Sequence, residues 1–190
     1  MKYYCKLSNT DQSDEIVIPS RLSKPSTYRT PSQIPVQDQG SKPICVPCAI
    51  MEGLHFYGRL RNLRSKVSLM DIYESRENKD EDGMSAKEAY KFLKEKGEIK
   101  GFGKITIIDQ ALSSLFANGP LLFVLPVRST DTNFWAGNDF LGYHAVACVG
   151  YDRWGFAVKN SWGFTYGNRG YATLSFKDAN IIKEIWTITV

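Results

Sequence analysis

An α+β fold in two lobes is predicted by three features of the 190-residue chain. Apolar residues recur at helical spacing from Cys45 to Ala117, short strand-like runs take over from Leu121, and the two patterns are segregated instead of alternating. Segregation argues against a parallel sheet built from βαβ units and directs attention to the cleft between the lobes. The expected organisation is an extended strap over residues 1–35, a mainly helical lobe over 36–118 and a β-rich lobe over 119–190.

The elements follow in order. Pro19, Pro25, Pro31 and Pro35 punctuate a polar start, which suits an extended segment on a surface. From Cys45, the residues Val46, Ala49, Ile50, Leu54, Tyr57 and Leu60 recur at helical spacing. Pro47 is compatible with that helix only in its first turn, where the missing N–H costs nothing, so Cys45 sits at a helix N-terminus. A second helix is expected over Leu69 to Ser75 behind Ser68. A third follows Ser85, where S-A-K-E forms a capping box and Gly97 a stop. A short fourth, Asp109 to Ala117, ends at Asn118-Gly119-Pro120. LLFVLPV, HAVACVGYD, GFAVKN, GYATLSF and IWTIT then read as strands divided by Gly, Asn and Asp turns.

Composition excludes several classes of function. A hydrophobic content of 43% is enough for a substantial core. The net charge of +4 arises from interleaved acids and bases, with no block of like charge to grip nucleic acid. No run reaches the roughly 18 apolar residues of a membrane span, and MKYYCKLSNTDQSDE lacks the apolar core of a signal peptide. An intracellular protein, or one exported without a cleavable signal, is therefore expected. Cysteines at 5, 45, 48 and 148 do not make a dense disulfide framework, which suits a reducing compartment.

Cys45 and Cys48 form a C-x-x-C pair with three candidate meanings. A zinc site needs further ligands, but there is no second such pair and the chain has only His55 and His144, so neither metal nor organic cofactor is expected. A thioredoxin-like couple would want a buried strand before it, which PSQIPVQDQGSKP does not supply. Nucleophilic catalysis needs a thiolate, a base and a group that orients the base. His55 lies ten residues along the same helix as Cys45, about 15 Å away and out of reach. His144 heads an apolar strand, and a neighbouring strand carrying KNSWG could hold Asn160 beside its ring.

QDQGSKPIC, YHAVACVGYD and VKNSWGFTYGNRGY together resemble the signature blocks of papain-like cysteine peptidases, in order, over roughly residues 25–190. The resemblance implies the two-lobe papain-like fold, with a helical left lobe, an antiparallel β-barrel-like right lobe and the active site between them. It makes Cys45, six residues after Gln39, the nucleophile and Cys48 a bystander; it also places His144 and Asn160, sixteen residues apart, as catalytic partners. Gln39 would help bind the oxyanion, and Trp162 would shield the Asn–His bond. Approximate alignment puts Gly83, Met84, Ala86, Val124 and Tyr143 around the pocket for the substrate side chain two residues before the scissile bond. Partners implied are a peptide or protein substrate and a proteinaceous inhibitor or regulator.

The chain departs from the family pattern in several places. Lys42 replaces the usual disulfide cysteine, Val46 replaces an aromatic residue, and the interval from Cys45 to His144 is short at 99 residues. About 20 to 30 residues precede the mature-like region, fewer than the usual helical prosegment. The proline-rich segment 19–35 is expected to wrap the back of the molecule, so that removing residues 1–15 leaves activity unchanged. Two alternatives to peptide hydrolysis stand beside it: a catalytically weak binding module on this scaffold, and an acyltransferase or deamidase using the same thiolate.

Overall fold

The first helix organises the molecule, and its sequence explains where it starts and stops. The computed structural model describes residues 5–9, 23–31, 34–62, 64–129 and 134–190; Pro19 lies outside them. Helix α1 (Cys45–Arg61) starts after Ile44, with no side-chain cap and no acidic residue in its first turn. Pro47 falls in that first turn, as its missing N–H requires. The helix ends at Asn62 in the left-handed conformation, with Arg59 and Arg61 near its negative end. The buried residues of α1 include Val46, Ile50 and Leu54, so it is a core helix and not a surface one.

Three shorter helices follow. Helix α2 (Leu69–Glu74) is capped by Ser68 with Asp71, and α3 (Ala86–Glu95) by Ser85 with Glu88, each pair forming a reciprocal capping box. Helix α4 (Ile108–Asn118) stops at Gly119.

Nine strands are present among the described residues: β1 (Cys5–Lys6), β2 (Tyr28–Arg29), β3 (Met84–Ser85), β4 (Gly101–Ile105), β5 (Leu121–Arg128), β6 (Phe140–Tyr151), β7 (Gly155–Lys159), β8 (Tyr171–Ser175) and β9 (Glu184–Thr189). The main antiparallel sheet runs β4-β9-β5-β6-β7-β8, and β2 pairs with the end of β6 beyond the reach of β5. The α+β class is as expected, but the β-rich part is an open sheet ending in β4 and β8, not a closed barrel. Strand β4 and helix α4, placed with the helical lobe by sequence order, pack with this sheet, because β4 pairs along its whole length with β9.

The continuous apolar runs in β5 and β6 follow from burial on both faces. Leu122, Val124, Ala145, Ala147, Val149, Trp186 and Ile188 face a core shared with α1, α2 and α3. Leu121, Phe123, Leu125, Val146, Cys148 and Ile185, the alternate positions, face a second core that includes Ala111 and Leu115 of α4. The strand period of two thus assigns each neighbour to an opposite layer, and neither face needs polar residues. At roughly 1.5–3 kcal/mol for each large apolar side chain buried, these two layers dominate the favourable side of folding.

A separate two-stranded pairing stands apart from the sheet. Strand β1 runs parallel to β3, with Cys5 opposite Met84 and Lys6 opposite Ser85, and β1 also packs against β6. Of residues 1–15 the structure describes 5–9, which pack beside Met84 in the core that includes Cys45, held by backbone pairing that no hydrophobic pattern announces.

Candidate active site

Cys45 is the first residue of α1 and is fully buried. N–H groups in a helix's first turn have no acceptor inside the helix, and their field favours an anion there. With no carboxylate in that turn, the field is left for the sulfur. Cys45 is held well below the ordinary thiol range. A hydrogen bond from the Cys5 thiol lowers it most; burial opposes, and the His144 hydrogen bond and charge and a bond to the Ala145 backbone lower it again. Cys5, the donor in that contact, is correspondingly pushed well up and stays protonated.

His144 enters from β6 and is fully buried. Its Nε2 lies 2.7 Å from Asn160 Oδ1. The orientation of the Asn160 amide is decided locally, because the Ser161 N–H donates to the same oxygen at 2.7 Å. An oxygen already accepting that bond cannot donate to the ring, so Nε2 must carry the hydrogen. Nδ1 makes no hydrogen bond to a nitrogen or oxygen atom of the described residues, and it is the nitrogen left to meet the Cys45 sulfur.

Aromatic rings enclose this bond. Trp162 stacks on His144 with ring centroids 4.6 Å apart and planes at 29°. Phe134 meets both His144 and Trp162 edge-on, and Tyr166 packs edge-on to Trp162. Water is thereby kept from the His144–Asn160 pair, which strengthens it.

Gln39 is also buried and is fixed at both ends of its amide. Its Oε1 accepts from Ser161 Oγ at 2.6 Å, and its Nε2 donates to the Lys42 carbonyl at 3.0 Å. One of the two Nε2 hydrogens remains for another acceptor. The Gln39 N–H donates to the Ser161 carbonyl, and Asp38 bridges to Trp162, so the loops carrying Gln39 and Asn160 are stitched together.

The other cysteines differ sharply. Burial pushes Cys48 up to about 12 and raises Cys148 further. His55 is half-buried on α1 and is not among the groups gathered here. Of the predicted pocket residues, Met84, Ala86, Val124 and Tyr143 share one apolar cluster with Cys45 and Cys5. Gly83 precedes β3 at φ +82°, a backbone conformation that favours glycine. Segment 5–9 lies against this same surface.

The sequence profile described as papain family cysteine protease matches residues 71–186, more than half of the chain. The chain belongs to the papain family of cysteine proteases. Papain from Carica papaya is 39% identical over 69 residues, 33% of this chain and 20% of papain. Mexicain from Jacaratia mexicana is 32% identical over 80 residues, 38% of this chain and 37% of mexicain. These matches span well under two thirds of either relative. Among solved structures, xylellain, a cysteine protease from Xylella fastidiosa, superimposes with a TM-score of 0.81 at 18% identity, over 99% of this chain and 96% of its own. Digestive procathepsin L 3 of the Tenebrio molitor larval midgut gives 0.75 at 14% identity, over 94% and 75%. At such identities the structural likeness establishes the papain-like fold. The papain-family profile spans His144 and Asn160 but begins after Gln39 and Cys45, whose place in the site rests on the geometry described above.

Several residues of the site had no signal in the sequence. Cys5 and Ser8 come from a polar leader, Phe134 from a loop and Glu184 from a strand that reads as plain core. Ser8 donates through its N–H and Oγ to Glu184 at 2.7 and 3.0 Å. Contacts between positions 176 residues apart leave no local periodicity.

Proposed function

We propose that the chain is a thiol peptidase in which Cys45 attacks the substrate carbonyl, His144 moves the proton and Asn160 orients His144. The single observation that carries this reading is the relay from a thiolate at a helix start through His144 to a buried Asn160 oxygen. The Cys45 sulfur bonds to the carbonyl carbon, and the carbonyl electrons move onto oxygen. The remaining Gln39 Nε2 hydrogen and the first-turn N–H of Cys45 are the donors suited to that oxyanion. Collapse breaks the C–N bond as His144 protonates the departing amine; water, deprotonated by His144, then releases the acid from the acyl-enzyme. Asn160 holds the ring in one tautomer through both steps. Trp162 excludes water from the Asn–His bond.

The substrate is a peptide or protein segment that displaces residues 5–9 and lies against Met84, Ala86, Val124 and Tyr143. A peptidyl epoxide tests the reading, applied with and without thiol reductant, with the modified residue mapped by mass and the experiment repeated on His144→Ala. Stoichiometric labelling at Cys45 alone, lost in the variant and accompanied by cleavage of a fluorogenic peptide amide, is expected. Equal labelling of Cys45 and Cys48, or none, would overturn it. A glutamine-containing peptide that changes mass by deamidation without cleavage would move the reaction to the deamidase class.

A further inference from the structure

Two thiols meet at the centre of this site, and only one belongs to the relay. Cys5 is buried in the same cluster as Cys45, Met84 and Ala145, positioned by its register opposite Met84. Its Sγ lies 3.5 Å from the Lys6 carbonyl, and its side chain is also close enough to Cys45 to be the largest influence on that thiol. The segment carrying Cys5 is anchored on both sides: Lys6 pairs with Glu81 at 2.7 Å, Ser8 with Glu184, and the Asn9 carbonyl accepts from Lys87 Nζ at 3.1 Å. Each of these is a polar contact that a competing peptide can exchange. None is covalent.

We propose that Cys5 is a resolving thiol that joins Cys45 in a reversible disulfide when a peroxide oxidises the site, locking residues 5–9 across the cleft. The inference rests on Cys45 being the reactive thiolate of the proposed function. The Cys45 sulfur attacks one peroxide oxygen, the O–O bond breaks, and hydroxide leaves and takes up a proton, giving the sulfenic acid. The Cys5 sulfur, having lost its proton, then attacks Cys45 Sγ; the S–O bond breaks and water leaves. Two thiols have lost two electrons, and one peroxide has been reduced to two waters. A dithiol reductant reverses the bond by exchange and returns the segment to its polar contacts. Cys5 thereby both closes the cleft and intercepts Cys45 before the irreversible sulfinic step.

Cys48 is the competing partner, because it lies three residues along α1, on the same side of the helix. Its surroundings set it aside: the Cys48 side chain bonds toward Ser161 from within α1, whereas the Cys5 side chain interacts with Cys45 itself.

The experiment uses the full chain, treated with hydrogen peroxide, digested without reduction and mapped by mass. The expected product is a Cys5–Cys45 linked peptide pair about 2 Da lighter than the two thiols. Epoxide labelling of Cys45 is then lost and is restored by dithiothreitol. In Cys5→Ser the same treatment should leave Cys45 about 32 Da heavier as the sulfinic acid, and labelling should no longer recover. A Cys45–Cys48 linkage, or wild type and Cys5→Ser recovering alike, would overturn the proposal. The wild-type peptide map decides the matter even if the variant folds poorly. If reduced protein takes the epoxide but no Cys5–Cys45 linkage forms, the latch fails alone. If reduced protein takes no epoxide, the parent reading fails with it.

Discussion

Glu52→Ala is expected to destabilise the protein severely, although Glu52 takes no part in the proposed chemistry. Glu52 of α1 and Lys159 of β7 form an ion pair whose side chains are each 3% exposed. Lys159 Nζ also donates to the Ile34 carbonyl, and the Ile34 backbone bonds to the Glu52 carboxylate. This node therefore ties the helix that carries Cys45 to the strand that leads into Asn160. Removing the carboxylate strands the ammonium in the interior, which costs about 3–5 kcal/mol. Against a total of about 5–15 kcal/mol, that is a large share. For a chain of this size it corresponds to a fall in Tm of roughly 6–20 °C.

Thermal and urea unfolding of the wild type, Glu52→Ala and the double variant Glu52→Leu/Lys159→Met provide the assay. The double variant is expected near wild type, because it removes both buried charges and keeps the volume. The pH dependence carries a definite sign. Burial raises the Glu52 carboxyl above its usual range, and the Lys159 bond and charge only partly oppose this. A group so raised contributes stability fully below the unfolded glutamate value, and that contribution is lost as pH rises through the folded value. Wild type should therefore gain on the double variant as pH falls through the raised folded value, with the gain complete once pH is below the unfolded glutamate value of about 4.3. A Glu52→Ala protein within about 0.5 kcal/mol of wild type, or a double variant as unstable as the single one, would refute the reasoning.

Three further outcomes are expected. Asn160→Ala removes an oxygen that accepts from both His144 and Ser161, and a bond to a charged ring is worth about 1.5–3 kcal/mol. That corresponds to a fall of roughly 10- to 150-fold in kcat/KM for a peptide amide, and an unchanged value would remove Asn160 from the relay. Alkylation of Cys45 by iodoacetamide should persist well below the ordinary thiol range while Cys48 and Cys148 stay silent, since their thiols are raised. Cys5→Ala and His144→Ala should each move the Cys45 profile upward, and a profile indifferent to both would contradict the assigned causes. Gly170 accepts from the Asn160 N–H, has φ +87°, and would place a Cβ 2.4 Å from Val36 Cγ1. Gly170→Ala should cost about 1–3 kcal/mol, read as a lower Tm, and a neutral substitution would show that the loop can relax.

Local signals in the chain were read reliably where one element decides its own form. Pro47 could only lie in a first turn, so it located the start of α1; Ser85 with Glu88 located α3; and the short continuous apolar runs of β5 and β6, bounded by turn residues, read as strands. Strand β4 was missed because GFGKI is interrupted by glycine, and its conformation is imposed by pairing with β9. The open sheet was likewise not legible, since closure depends on how edges meet and not on any strand's own pattern.

The sequence by itself determined the candidate relay: a thiol at a helix start, a histidine heading a strand, and an asparagine sixteen residues further on, set in motifs that resemble one family. Those features are visible because each is encoded in a few adjacent residues whose backbone form is locally dictated. Only the tertiary structure decided what surrounds the relay. The Cys5 thiol beside Cys45, Ser8 on Glu184, Phe134 against His144 and Trp162, and the Glu52–Lys159 node join positions far apart in the chain. Such contacts exist only once the sheet and helices have packed, and neither propensity nor periodicity carries information about partners that distant.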